Sequence, residues 1–283
     1  MNSHHTPHPL AGQLRIISAG AAQSLVLSLT ERINRKLQTA PTIQSLPTLP
    51  STSSPYLQLN ASFGAVGAMV DLFKAELSAK TEDQGAVSCD LMISSQSILE
   101  TLGQEGLVQS STLKALGLVS TGLARLSSDT SNLWGACPPH ANASEHLVQT
   151  FKRASQIYIP DPVKSTAGIH VKAVLTRLGL WESCADKIQS FPNGATAMAQ
   201  LAKDATPGAL GCTQKTEILF TPGVQWVEPL PEEHALKTLY SVVRCQKDSS
   251  DPSAAAQVAL AQAFLDQLIS PELAELRAES GFE

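Results

Sequence analysis

The sequence predicts an α/β protein with two lobes, and three observations lead to that prediction. The chain has 283 residues, which is long for one compact domain and suits two lobes of roughly 100 to 150 residues each. Short apolar strands alternate with amphipathic helices, as in doubly wound sheets. Three segments (14–25, 56–69 and 157–180) also share one layout, in which a strand passes through a turn of small residues into a helix. Ligands of such sheets bind beyond the carboxyl ends of the strands, so we expect a ligand cleft between the lobes.

The strands are predicted from short apolar or β-branched runs that end at glycine, proline or serine. The run at 91–93 is apolar throughout, which is typical of a parallel strand buried on both faces. The predicted strands lie at about 14–18, 56–60, 91–93, 116–126, 157–159, 208–213, 224–228 and 236–245.

The helices are predicted from apolar residues that recur every three or four positions. In the first helix Leu25, Leu29, Ile33 and Leu37 form a stripe that should face the core. The predicted helices lie at about 22–37, 66–79, 98–107, 146–153, from 166 onward, after the glycine turn at 193–194, and at 252–276. Two segments rich in proline, serine and threonine, 38–55 and 127–145, are predicted to be inserted loops.

The composition excludes some classes of partner. Hydrophobic residues make up 43% and charged residues 16% of the chain, and the net charge is −5. The sequence therefore has no basic surface of the kind that binds nucleic acid. We expect an anion to be held by local dipoles instead, because the first turn of a helix has free backbone N–H groups and a partial positive charge.

The N-terminus and the cysteines predict the compartment. Residues 1–10 contain no basic region followed by an apolar one, and no later window has the roughly 20 apolar residues of a membrane span. The sequence thus predicts a flexible leader at 1–13 and a cytoplasmic protein without membrane contact. The five cysteines form no CxxC pair, so we expect reduced thiols, no metal site and no cofactor, with Cys212 nearest the cleft.

The order of the strand-turn-helix segments carries a resemblance to a known family. Together with 89–95 and 208–219, these segments follow the order of the molybdate-binding component of bacterial ABC transporters. The chain therefore resembles the type II periplasmic-binding-protein fold, with two doubly wound lobes joined by two crossing strands. This resemblance implies lobe 1 at 14–118, lobe 2 at 119–235, and a return strand with closing helices at 236–283.

The same resemblance implies the ligand-binding residues, most of them small residues at helix starts. Either Gln23 or Ser24 replaces the family's first serine, although a plain helix cap is an alternative. The family's serine run becomes 64–67, and its tyrosine becomes Gln214, so weak molybdate binding is expected. The implied set is Ala19, Gln23, Ser24, Gly64, Val66, Gly67, Ser165, Thr166, Ala167, Gly168, Gly194, Gln214 and Lys215.

Residues 213–231 resemble more closely the branch that contains aconitate isomerase. If the chain is an enzyme, Lys164, His170 and Glu217 are its candidate catalytic groups, because a lysine, histidine or glutamate can bind a carboxylate or move a proton. Three of the candidate residues have a structural alternative: Lys215 as a surface lysine, His170 as a core or half-buried structural histidine, and Glu217 as a helix-capping or surface carboxylate.

Two functions follow from these residues. The favoured one is a cofactor-free isomerase, intracellular and monomeric, that binds a small polycarboxylate and shifts a proton between two carbons next to carboxylates. The alternative is a non-catalytic oxyanion- or solute-binding protein of the molybdate-binding ABC transporter type. Both functions require a small anionic ligand between the lobes.

Overall fold

The structure is a computed structural model, which describes residue 10 and residues 12–39, 56–82, 89–129, 142–246 and 252–283. The predicted leader lies almost entirely outside the described residues. The same holds for most of the two predicted loop insertions, including Cys137.

The described residues form alternating strands and helices, as the sequence predicts. The strands are β1 (Gly12–Ala19), β2 (Leu57–Gly64), β3 (Leu91–Ser95), β4 (Lys114–Leu126), β5 (Ile157–Pro160), β6 (Ile188–Phe191), β7 (Leu210–Gln214), β8 (Val224–Pro229) and β9 (Lys237–Arg244). The helices are α1 (Gln23–Thr39), α2 (Val66–Glu82), α3 (Gln96–Gln104), α4 (Ala143–Arg153), α5 (Thr166–Arg177), α6 (Gly194–Asp204), α7 (Lys215–Phe220), α8 (Pro252–Ile269) and α9 (Ala274–Glu279).

The strand order is β2-β1-β3-β9-β4-β7-β5-β6, with β8 paired to β4. In lobe 1, β1 runs parallel to both β2 and β3. In lobe 2, β5 runs parallel to both β6 and β7. Between them β9 pairs with β3 and β4, and β4 pairs with β7 and β8, all antiparallel. The predicted fold class is therefore confirmed: two doubly wound lobes are joined by the long strands β4 and β9.

Each lobe has apolar layers on both faces of its sheet. In β1, Ile16 packs with α1 and α8, whereas Ile17 packs with α2 and α3. This alternation follows from the period of two along a strand. The predicted stripe of α1 is confirmed, because Leu25, Leu29, Ile33 and Leu37 are all buried in that first layer.

Lobe 2 has helices whose first turns are capped by side chains. The side chains of Asn142, Ser165 and Asn193 accept hydrogen bonds from backbone N–H groups at the starts of α4, α5 and α6. Such caps satisfy N–H groups that have no partner within the helix. Cys212, which was predicted nearest the cleft, instead packs among apolar side chains of the lobe 2 core.

The last residue of the chain, Glu283, binds to the two strands that connect the lobes. The backbone of Glu283 exchanges two hydrogen bonds with Leu118 on β4, at 2.8 and 3.0 Å. Its carboxylate accepts from Ser120 Oγ on β4 at 2.9 Å and from Lys237 Nζ on β9 at 2.7 Å. One residue thus contacts both crossing strands.

None of the helices in the described part of the chain combines the length and apolar character that a bilayer span requires.

Candidate functional site

Segments that follow the carboxyl ends of parallel strands in the two lobes contact each other. On lobe 1, β1 ends at Ala19 and a buried single turn of 3-10 helix, Gly20–Ala22, leads directly into α1. Gln23 and Ser24 form the start of α1 and are half-buried. The first predicted ligand turn therefore lies at the sheet edge where a doubly wound fold binds its ligand.

The second predicted turn lies beside the first and contacts lobe 2. A Cβ atom built on Gly20 would lie 3.6 Å from the carbonyl oxygen of Gly64. Gly64 and Val66 are buried at the start of α2, and the Gly67 N–H donates a 3.0 Å hydrogen bond to the carbonyl oxygen of Lys164. The backbones of the two lobes are thus in direct contact at this point.

Lys164, a candidate catalytic residue, pairs with an acidic side chain of the opposite lobe. Its Nζ lies 3.1 Å from Oδ2 of Asp71 on α2, and both side chains are more than half exposed. Exposed ion pairs of this kind contribute little to the free energy of unfolding, typically about 0.2–1 kcal/mol. Lys164 therefore lies at the rim of the cleft, on the contact between the lobes.

The start of α5 is an ordinary capped helix packed against its own strand. Ser165 Oγ accepts from the Gly168 N–H at 3.4 Å, Thr166 is half-buried and Ala167 is buried. A Cβ atom on Gly168 would lie 2.1 Å from the carbonyl oxygen of Asp161, so this glycine allows α5 to pack closely on the end of β5.

His170, one turn into α5, is bonded within lobe 2. Its Nε2 lies 2.7 Å from the carbonyl oxygen of His234, and its side chain is half-buried. This contact matches the structural alternative rather than a proton-transfer role at the cleft.

Glu217 is a buried carboxylate between the two lobes. Thr213 Oγ1 donates to its Oε2 at 2.6 Å. The backbone N–H groups of Gly194, Ala195 and Gln214 also bond to it. The Gln214 bond is half of a capping box, because Glu217 is the third residue of α7 and reaches back to the residue before the helix.

Two glycines make room for the Glu217 carboxylate. A Cβ atom on Gly194 would lie 1.9 Å from Oε2, and one on Gly20, in lobe 1, would lie 2.9 Å from Oε1. The N-terminus of α6 thus already binds a negatively charged group, which is the side-chain carboxylate of Glu217.

Burial sets the electrostatics of this carboxylate. Desolvation raises the pKa of Glu217 above its ordinary value, and the hydrogen bonds from Thr213 and the three backbone N–H groups partly oppose this rise. Burial also raises the pKa of Tyr240 on β9 well above its usual range, and the negative charge of Glu217 adds to that effect. Gly20 of lobe 1 therefore contacts a side chain whose negative charge is costly to bury.

Gln214 and Lys215 point away from one another at the end of β7. Gln214 is buried, and its Nε2 donates to Thr238 Oγ1 on β9 at 3.3 Å. Its Oε1 has no partner among the described residues, and neither has Oγ1 of Thr121, the residue opposite it on β4. Lys215 Nζ lies 5.8 Å from the centre of the Trp226 ring. The Gln214 side chain thus attaches the end of β7 to β9, whereas Lys215 lies over β8.

Among the predicted residues, Gly67, Lys164 and Glu217 make contacts between the lobes, with Gly64 and Gly194 directly beside them. Gly168 and His170 instead pack or bond within lobe 2. Sequence reasoning placed Gly20 within the first predicted turn without giving it a role of its own, and it missed Asp71, Thr213 and Tyr240. Only Thr213 had a local signal, because a threonine four residues before a helical glutamate can bond to it.

Among the described residues, no group of three or more histidine, cysteine, aspartate or glutamate side chains is placed to hold a metal ion.

Comparison with known proteins gives a consistent result. A family model described as "Bacterial extracellular solute-binding protein" matches residues 57–283. The molybdate-binding protein ModA of Escherichia coli is 27% identical over 127 residues, which is 45% of this chain and 46% of that protein. The aligned part thus spans less than half the length of this curated relative.

Solved structures of the same fold cover nearly the whole chain. The periplasmic molybdate-binding protein of Azotobacter vinelandii superposes with a TM-score of 0.62 at 15% identity, covering 95% of this chain and 98% of that one. The sulfate-binding protein SubI of Mycobacterium tuberculosis has a TM-score of 0.59 at 12% identity, covering 95% and 86%. At these identities the likeness concerns the fold alone.

These findings correct two expectations from the sequence. The favoured intracellular isomerase is wrong, because the match over residues 57–283 is to solute-binding proteins, and the cytoplasmic location is wrong, because that family is extracellular. The candidate catalytic side chains give a physical reason for the first correction. Glu217 accepts hydrogen bonds from Thr213 and three backbone N–H groups of lobe 2, His170 is bonded to a carbonyl oxygen, and Lys164 pairs with Asp71. The likeness of residues 213–231 to the aconitate isomerase branch stays a prediction.

Proposed function

The chain belongs to the family of bacterial extracellular solute-binding proteins, and on that premise we propose that it binds a small oxyanion between its lobes, as the receptor of an ABC transporter. The proposed receptor is a monomer without catalytic activity. Its lobes are those expected from the sequence, 14–118 with 236–283 and 119–235.

One observation carries the proposal. Turns from both lobes meet at a single place, where Gly67 bonds to Lys164 and Gly20 packs against Glu217. In such a fold, ligand binding brings the lobes together around the ligand by hinge closure. The geometry therefore favours a small ligand that contacts both lobes at once.

The ligand class is inferred from the donors available there and from the relatives. The starts of α1 and α2 lie at the contact between the lobes, and backbone N–H groups in the first turn of a helix hold anions without any net positive charge on the protein. The N–H groups of Gly67 and Gly168 already have acceptors within the chain, so other N–H groups of these turns would hold the anion. The curated relative is named for molybdate, and the solved structures are named for molybdate and sulfate. A small tetrahedral oxyanion agrees both with the backbone N–H donors and with the ligands for which these proteins are named.

Calorimetric titration with molybdate, tungstate, sulfate and nitrate tests this function. We expect at least one of the tetrahedral anions to bind with one site per chain. Binding should weaken by tenfold or more, about 1.4 kcal/mol, in Gln23→Glu, which adds a negative charge at the proposed anion turn. An acidic residue in the first turn of α1 stabilises a helix, so lost binding in this variant would not reflect unfolding.

The matched control is Gln149→Glu, the same change on the exposed face of α4 in lobe 2. It alters the net charge equally and should leave the affinity within twofold. Equal losses in both variants, or no binding of any of the four anions, would contradict the proposed function.

A further inference from the structure

Glu217 places a negative charge at the contact between the two lobes, which is also where the proposed anion has to bind. Its Oε1 approaches Gly20 in the first turn of lobe 1, while its Oε2 is held in lobe 2 by Thr213 and the start of α6. The carboxylate cannot simply be displaced, because Gly194 leaves room for it and four donors hold it. An anion at the start of α1 would therefore bind next to a charge of the same sign.

Such a neighbour has a large effect on affinity. Two like charges about 5 Å apart at a partly buried site repel strongly enough to lower an anion's affinity by roughly tenfold or more. The repulsion is removed if the carboxyl group is neutral when the anion is bound.

We propose that Glu217 couples anion binding to the uptake of one proton, so that anion and proton enter the cleft together. The proton comes from solvent and binds to a carboxylate oxygen of Glu217, and no other bond forms or breaks. The neutral carboxyl group keeps acceptor capacity for its donors in lobe 2, and its O–H can donate toward the anion. This inference rests on the proposed function.

The surroundings of Glu217 support such a coupling. Burial already raises its pKa, and a bound anion would raise that pKa further. Tyr240 is the titratable side chain that interacts with Glu217 electrostatically. The other titratable or charged residues on α7 and on the elements packed against it are Glu31, Arg32, Arg35, Lys36, Lys114, Arg125, Lys203, Asp204, Cys212, Lys215 and Glu228.

Calorimetry on the unaltered protein measures the coupling directly. The probe is sulfate, which keeps two negative charges over the whole range used; if only molybdate binds, it is used at the upper end of the range, where it stays the simple dianion. Titrations in buffers of different ionisation enthalpy, between about pH 5 and about pH 8, give the number of protons taken up. We expect uptake of up to one proton, and an affinity that falls by up to tenfold per pH unit as pH rises.

The direction of this pH dependence follows from the pKa. The carboxyl group is expected to have a higher pKa in the complex than in the protein without anion. Its protonation therefore favours the complex at pH values below the pKa that it has in the complex. The favourable contribution is lost as pH rises through it.

Glu217→Gln provides the second arm, because glutamine keeps the capping geometry but carries no charge. We expect this variant to bind the probe at least tenfold more tightly than the unaltered protein at about pH 8, with no proton uptake. Glu279→Gln, the same change at an exposed position of α9, should keep the uptake unchanged.

The outcomes separate this inference from the proposed function. Tight binding with no proton uptake in the unaltered protein would overturn the coupling and leave the proposed function standing. Uptake that persists in a folded Glu217→Gln protein would also overturn it, because the proton would then bind elsewhere. Failure of every anion to bind at every pH would contradict both.

Discussion

At the start of α6, the absence of a single side chain decides which group binds there. Gly194 has no Cβ, so the Glu217 carboxylate reaches the free N–H groups of the helix. The sequence suggested Glu217 as a possible base. In the structure its carboxylate accepts hydrogen bonds from Thr213 and three backbone N–H groups. An alanine at 194 would exclude this arrangement, because its Cβ would lie 1.9 Å from Oε2.

Lys164 permits a test of whether the ligand needs a lysine charge. Its Nζ pairs with the exposed Asp71 on the other lobe. Lys164→Met removes that pair but keeps the backbone bond to Gly67, so we expect anion affinity to fall less than about fivefold, corresponding to about 1 kcal/mol. Asp71→Asn, which breaks the same pair from the other side, should have an equally small effect.

Calorimetric titration of both variants provides the measurement. A loss of more than a hundredfold in Lys164→Met with no loss in Asp71→Asn would mean that Lys164 binds the anion directly.

The residue-level predictions depended on how local each signal was. Small residues at helix starts were identifiable from the sequence, because a turn into a helix has a recognisable local pattern. The roles of Gly20, Asp71 and Tyr240 depend on contacts with distant parts of the chain. No spacing in a single sequence reports such contacts.

At the scale of elements, β4 and β9 connect the lobes, and Glu283 binds both strands. Its contacts with Ser120 and Lys237 attach the end of the described chain to both strands that join the lobes. The closing helices expected at 252–276 are α8 and α9, with a short 3-10 turn at Pro271 between them.

Glu283 should make stability depend on pH. The hydrogen bond from Lys237 holds the pKa of Glu283 below its usual value, and burial partly opposes this. Because the folded-state pKa is the lower one, the contribution is present above about pH 4.3 and is lost as pH falls through the folded-state value. We expect Glu283→Gln to lower the free energy of unfolding by about 0.5–1 kcal/mol at neutral pH, as is usual for a partly exposed pair.

Urea unfolding at neutral pH and at about pH 3 measures this difference, which should be smaller at the lower pH. Glu279→Gln serves as the exposed control. A difference that stays the same at both pH values would show that the effect of Glu283 is not electrostatic.

Most elements were predictable because their apolar pattern is strong, as in the periodic stripe of α1 and the continuous apolar run of β3. Two were not. In β6, Gln189 and Ser190 are exposed and only the two end residues are half-buried, so the strand lacks an apolar run. In α7, the six residues are too few to show a helical period, and the helix begins directly after β7. Tertiary packing determines both elements.

At the scale of the whole molecule, the fold follows from alternation of strands and helices, whereas the function does not. A net charge of −5 is compatible with an anion receptor, because helix starts supply the local positive potential. The error about activity arose from three titratable residues that lie near the predicted turns but are bonded to other groups. Proximity in sequence to a helix start does not determine which group a side chain faces.

The most direct test of an oxyanion site between the lobes is anomalous diffraction from crystals grown with tungstate. We expect one strong peak per chain, between the first turn of α1 at Gln23 and the segment 64–67, with lobe 2 completing its contacts. Tungstate that binds in solution but gives its peak outside the cleft would contradict this account of the protein.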